Sequence, residues 1–185
     1  MTWTRQTLSS SGDVAGPGRR GGVIDTMAVA STAAFAGGAL LSQTVLVPEW
    51  RAMDPAAFLA RFAVSGPVTG ATVFPFELSS AVLLGIVTYT GVRRHRPGRL
   101  LWVLATAGMA GTIALLPIYF VGANLALLDP SFPPQEVHAQ LATWYRWNWV
   151  RTGLGLGSAV LACVALATDR GGHGSAARAD DPASR

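Results

Sequence analysis

The chain has 185 residues, half of them apolar and only 13% charged, with a mean hydropathy of +0.37. This balance excludes an ordinary soluble domain and fits one compact domain of the membrane class. The net charge is +4, yet all 14 basic residues are arginines spread over short segments, so the clustered basic face that nucleic acid requires is missing. The one cysteine, Cys163, excludes both an intrachain disulfide and a cysteine metal site.

A leader to about Gly22 is built of Gly, Ser and Arg, and its composition predicts disorder. The first membrane span follows at Ala28 to Val47, "AVASTAAFAGGALLSQTVLV", uncharged and rich in small residues. It leaves into "PEWRAMD" without a small-x-small cleavage pattern, which makes it an uncleaved anchor rather than a signal peptide. The second span is Val68 to Val92, interrupted by Pro75 and carrying Glu77. The third, Leu100 to Leu128, has no charge over 29 residues, long enough to tilt or project. The fourth, Thr152 to Thr168, is short of the roughly 20 residues a crossing needs unless the aromatic stretch before it continues the same helix. The tail "DRGGHGSAARADDPASR" again has a disordered composition.

Arginines assign the sides, because basic residues are retained in the cytoplasm. The leader (Arg5, Arg19, Arg20), the connection "RRHRPGR" and the tail (Arg170, Arg178, Arg185) hold ten, against Arg51, Arg61, Arg146 and Arg151 opposite. Both termini are therefore expected inside. The fold expected is an all-α, integral membrane, antiparallel four-helix bundle. Short surface helices are expected in its two outward connections, at Ala56 to Val64 and Pro134 to Trp147. Ala33 with Gly37, and Gly153 with Gly157, are expected to give close helix contacts.

Polar groups in such a bundle need a partner, a cavity or a function. On this topology Gln43, Glu77, Tyr119, Asn124, Asn148 and Arg151 share one depth, toward the outer side. The inner half offers little beyond Asp25, Ser80, Thr88 and Thr106. Glu77 can neutralise Arg151 across the bundle, or else stand in the first turn of a helix begun by Pro75. Asn124 and Gln43 suit interhelical hydrogen bonds.

The stretch Thr143 to Gly155, "TWYRWNWVRTGLG", concentrates three tryptophans, a tyrosine and two arginines. On a helix Trp144, Asn148 and Arg151 share a face, and Trp147, four residues before Arg151, is expected to cover the arginine with its ring. Trp149 and Trp50 read as interface anchors. His138 is the one histidine in the outward connections, either a surface residue or a proton carrier. His95 and His173 lie too far off for a metal motif. No phosphate loop, dinucleotide glycine pattern or nucleophile elbow is present.

From about Ala28 to Thr168 the chain resembles the anthrone oxygenase-like integral membrane family. The likeness rests on "LSQTVLVPEWRAMDPAAFLARF", on "PIYFVGANLALL" and above all on "WYRWNWVRT". There the family's aromatic-rich W-x-x-[N/H]-x-x-R pattern is matched at its spacing by Asn148 and Arg151, with Tyr145 at its first position and Trp144 or Trp147 beside it as the tryptophan, and Asn124 matches an asparagine of the third span. The resemblance implies oxidation of a lipophilic, polyketide-like anthrone to a quinone with molecular oxygen and no bound cofactor. Such chemistry needs a base, an anion-stabilising donor and a dry pocket. Arg151 and Asn148 would hold the oxyanion, with Tyr119 or Asn124 as further donors and Gln43, Trp144 and Trp147 around the substrate. Glu77 and His138 are the candidate bases, since Asn148 stands where relatives carry histidine and cannot take up a proton. Two other readings stand beside this one. One is a non-catalytic membrane binding or scaffold protein whose polar cluster only joins helices; the other is a small transporter, which would have to form a homo-oligomer.

Overall fold

The computed structural model describes the backbone of residues 17–179 and the side chains of residues 22–171. The disorder expected of the leader before residue 17 and of the tail beyond residue 179 lies outside the described residues. Within them, helix continues into the rest of both segments, with α1 starting at Pro17 and the last helix reaching Ala179.

Helix α1, Pro17–Leu41, runs through a π-helical turn, Ser42–Leu46, into α2, Val47–Ala52. Helix α3, Pro55–Arg93, starts at a proline, and Asp54 caps it by accepting from the N–H groups of Ala56 and Ala57 at 3.0 and 3.1 Å. Helix α4, Arg99–Leu115, passes through a second π-helical turn, Leu116–Phe120, into α5, Val121–Leu128. After a short 3-10 turn, α6 runs from Val137 to Ala179. The surface helices expected at Ala56–Val64 and Pro134–Trp147 are thus not separate. The first is the opening of α3, and all but three residues of the second open α6. Pro67 and Pro75 lie inside α3, so Pro75 does not start a helix and Glu77 is not in a first turn. Apolar surroundings offer the backbone no better partner than its own helix, so these prolines are absorbed where a soluble helix would break.

Four helical segments, Gly22–Ala52, Pro55–Arg93, Arg99–Leu128 and Pro134–Gly171, are each long and apolar enough to cross a membrane. The chain is built as a multi-pass, all-α membrane protein. At about 1.5 Å per residue, even the 30-residue segment exceeds a hydrocarbon core of about 30 Å, so helix ends project beyond it. Contacts run α1–α3, α3–α4, α4–α6 and α6–α1, a closed square with α3 and α6 on one diagonal. Both ends of the described chain lie at one end of the bundle, here the terminal end; α2 and the α5–α6 connection form the loop end.

Apolar burial does not draw helices together in lipid, so close packing and polar contacts must do so. The small residues that pack closely are not the expected ones. A methyl group added at Gly37, Gly153 or Gly157 would meet nothing within 4 Å, and these three face outward, as does Ala33. The tight approaches are Gly155 against the Phe35 ring, Gly108 against Ser158 and Gly98 against the backbone of Ala165. Hydroxyl pairs add bonds between spans, Ser31 to Ser79 at 2.7 Å and, nearer the terminal end, Thr88 to Thr106 at 2.7 Å.

The terminal end carries more than the sequence promised. Asp169 accepts from the Gly98 N–H at 2.8 Å and the Trp102 indole N–H at 3.0 Å. Arg96 donates to Asp25 at 2.8 Å and lies 3.6 Å from Asp169. Two buried carboxylates, one arginine and one indole thereby tie α1, the α3–α4 turn, α4 and α6 together. The signal was present as Asp25, Arg96 and Asp169, but no local spacing links residues so distant in the chain.

Candidate functional site

A cavity of about 460 Å³ occupies the loop-end half of the bundle. All four spans reach it. Ala39 and Ser42 come from the first span, residues Phe62 to Phe74 of α3 form one wall, and Leu116, Phe120, Val121 and Asn124 form another. Trp50 of α2 and Trp144, Asn148 and Arg151 of α6 complete the lining. Both π-helical turns contribute, through Ser42, Leu116 and Phe120. Such turns displace side chains from the regular face of a helix and recur at functional sites. Pro117 sits in the second turn and supplies a local reason for it, since it has no N–H for the regular ladder. Pro75 likewise relieves the carbonyl of Ala71, another lining residue, of its helical hydrogen bond.

The walls are mostly apolar, and the polar groups converge on the α6 side. Arg151 donates to both oxygens of Glu77, Nε to Oε1 at 3.3 Å and Nη2 to Oε2 at 2.5 Å. Glu77 is fully buried and lies behind Arg151 rather than on the cavity wall. The pair crosses the α3–α6 diagonal, and pairing is what makes either charge tolerable there. Of the five N–H groups of Arg151, two serve Glu77. Its guanidinium also lies 5.1 Å from the Phe35 ring centre and 5.4 Å from that of Phe120. The expected cover by Trp147 is not found. Trp147 stacks instead on Tyr119, centres 5.5 Å apart and planes at 22°.

Behind the wall, amides join the first and last spans. Asn148 Nδ2 donates to Gln43 Oε1 at 2.6 Å, and Gln43 Nε2 donates to the carbonyl of Tyr145 at 3.2 Å. Trp144 Nε1 donates to Asn124 Oδ1 at 3.0 Å. Gln43 and Asn124 therefore make the interhelical bonds read from the sequence; of the candidate site residues, Trp144, Asn124, Asn148 and Arg151 line the cavity, and Gln43 does not.

Tyr119, Trp147 and His138 do not line it. The Tyr119 hydroxyl is buried without a hydrogen-bond partner among the described residues. His138 is exposed in the first turn of α6, away from the cavity residues, and is no nearby base. Trp149 is 43% exposed, as an interface anchor should be, but Trp50 is only 5% exposed and packs edge-on against Phe62 and Trp144. Its burial follows from the first helix continuing through α2, which seats the indole among Phe58, Phe62 and Trp144 rather than at the bilayer surface. The sequence reading also missed the α3 wall and the Phe35 and Phe120 rings, none of which carries a polar signal. Among the described residues no cluster of His, Cys, Asp and Glu is fit to hold a metal ion.

Outside, Phe74 and Val121 line the cavity while remaining 45% and 50% exposed, so the opening lies between α3 and α5, on an apolar flank of the bundle. The chain matches no family model, no curated protein and no solved structure.

Proposed function

We propose that this protein is a membrane-embedded, cofactor-independent oxygenase that takes a lipophilic, polycyclic, anthrone-like substrate from the bilayer and oxidises it with molecular oxygen. One observation carries the reading: a mostly apolar cavity ends in an arginine whose charge is already balanced by a buried carboxylate. That arrangement accepts a neutral substrate and can hold the anion derived from it.

The steps balance as follows. The acidic C–H of the substrate loses its proton, and the electron pair delocalises onto the ring oxygen. Arg151 then binds that oxyanion. Glu77 loses its counter-ion in the exchange and accepts the proton, so the site stays neutral overall, which a low-dielectric interior demands. The anion passes one electron to dioxygen, the two radicals combine as a carbon-bound peroxide anion that takes the proton back from Glu77, and loss of water from the resulting hydroperoxide leaves the ketone. Substrate plus dioxygen gives quinone plus water. Glu77 is the only carboxylate hydrogen-bonded to a described lining residue, which favours it over His138 as the base.

The arginine distribution supports a cell-membrane protein with both termini cytoplasmic, the cavity then standing in the outer half. Single cysteines at His138 and His173 in a Cys163→Ala background test this, the first expected to react with an impermeant maleimide in intact cells and the second only after lysis.

The catalytic test is aerobic quinone formation from emodin anthrone by membranes holding wild-type protein, Arg151→Ala protein at matched abundance, or none. Spontaneous oxidation sets the baseline. Wild-type rates above it that fall to it in Arg151→Ala support the proposal. Three coincident rates favour the binding reading, to which one observation already points: both Glu77 oxygens are occupied in the resting site.

A further inference from the structure

The structure assigns a hydrogen-bond order to the polar side of the cavity, donor then acceptor then donor, and with it a ligand that carries a donor and an acceptor side by side on an uncharged apolar body. The inference rests on the cavity being a ligand site, as proposed above, but not on any oxidation taking place there.

The order follows from two groups whose roles cannot reverse. The Tyr145 carbonyl can only accept, so Gln43 must turn Nε2 to it and present Oε1 to Asn148. Asn148 must then spend Nδ2 on Gln43, and its Oδ1, which has no partner among the described residues, is left for the cavity that Asn148 lines. In the same way the Trp144 indole N–H can only donate, so Asn124 must turn Oδ1 to it and is left with its two N–H donors. Arg151 keeps the N–H groups that Glu77 does not use.

Helix α6 spaces these three levels. Trp144, and with it the Asn124 contact, stands four residues before Asn148, and Arg151 stands three after, so the steps along the axis are about 6 Å and about 4.5 Å. Asn148 is 1% exposed and held by Gln43, itself fully buried, so the acceptor cannot turn away to find water. An acceptor so placed penalises any ligand that brings it no donor, because the group is then desolvated and unpaired. Gln43 and Trp144 are positioning residues in this scheme. Gln43 stands behind the cavity wall and Trp144 is part of it, and both decide which face each asparagine shows the ligand.

The test uses the full chain in nanodiscs, with empty nanodiscs as the partition control, and equilibrium dialysis of three probes. 2-Naphthamide has both a donor and an acceptor, N,N-dimethyl-2-naphthamide has the acceptor alone, and 2-ethylnaphthalene has neither. Wild-type protein is expected to bind 2-naphthamide at least tenfold more tightly than its dimethyl derivative. In Gln43→Met, which matches the side chain in length but frees the Asn148 amide to rotate, that ratio is expected to fall below threefold while 2-ethylnaphthalene binding is unchanged. Trp144→Phe supplies an independent variant, expected to weaken binding of both amides by a larger factor than binding of 2-ethylnaphthalene; an equal loss for all three probes overturns the role of Trp144. Equal binding of the two amides by wild type overturns the order and leaves the oxygenase reading to the quinone assay. A wild-type preference that survives in Gln43→Met overturns the role of Gln43. No binding above empty nanodiscs overturns the inference together with the ligand site on which it rests.

Discussion

Removing one member of the Glu77–Arg151 pair should cost far more than removing both. In Glu77→Leu the guanidinium keeps its place beside Phe35 and Phe120 but loses the carboxylate that neutralised it. The side chains are 0% and 14% exposed, so water replaces the lost partner poorly. Breaking a buried pair from one side costs about 3–5 kcal/mol, while replacing both charges by apolar groups of similar size is often near neutral. For a chain of this size each kcal/mol moves the melting temperature by about 2–4 °C, so Glu77→Leu should lower it by about 6–20 °C. Arg151→Met should act in the same direction. The double variant should melt within about 4 °C of wild type, a coupling of about 3 kcal/mol or more. Near-ultraviolet circular dichroism on heating in detergent, run on all four proteins, measures the cycle, and quinone formation by the same preparations measures turnover. A folded but inactive double variant is expected of an enzyme. Additive losses, or single variants within about 2 °C of wild type, would refute the argument that these charges depend on one another.

Gly155→Ala places a methyl group 2.8 Å from the buried Phe35 ring and should destabilise the protein by about 1–3 kcal/mol. By contrast Gly153→Ala and Gly157→Ala meet open space and should stabilise it by about 0.5–1 kcal/mol through helix propensity, an ordering that thermal melts will show. Asp169→Ala leaves the Gly98 N–H and the Trp102 indole N–H without their acceptor and should cost about 2–6 kcal/mol, at about 1–3 for each stranded donor, read from detergent unfolding and from changed Trp102 emission. In the α5–α6 connection, hydrogen bonds from the Ser131 hydroxyl and then its backbone N–H hold the Asp129 carboxyl below its ordinary range. A depressed carboxylate pKa contributes stability above the unfolded value that is lost as pH falls through the folded one, so the contact should loosen in acid. Ser131→Ala should move the Asp129 titration upward, toward the ordinary value, as carboxyl carbon shifts in an NMR titration would report.

Four apolar runs of crossing length, their antiparallel order and the confinement of strong polar groups to a few positions were all legible in the chain. Each is a local or one-dimensional property: hydropathy over a window, and the cost of placing Glu77 or Arg151 in hydrocarbon. The partnership of those two residues was legible too, because a buried charge of one sign calls for the other. Asn124 and Gln43 were rightly read as interhelical bonds, since an amide in a membrane helix has few other uses. The helix ends were not legible, because Pro55, Pro67 and Pro75 look alike in sequence, although the first starts α3 and the others lie inside it. Nor was the stripe of small residues that packs. Gly153 and Gly155 differ by two positions, and only the placement of Phe35 decides that the second is the crowded one.

Composition and hydropathy by themselves determined a four-span helical membrane protein, because the bilayer acts as a solvent on every residue separately. Only the tertiary structure decided that Asp25, Arg96, Trp102 and Asp169 meet at the terminal end, and that α3 and α5 part to leave an apolar opening. It also decided that Tyr145 and Trp144 fix which way Asn148 and Asn124 turn. Those outcomes depend on distances between residues about 20 to 105 positions apart, and no local pattern in the chain carries such distances until the helices have packed.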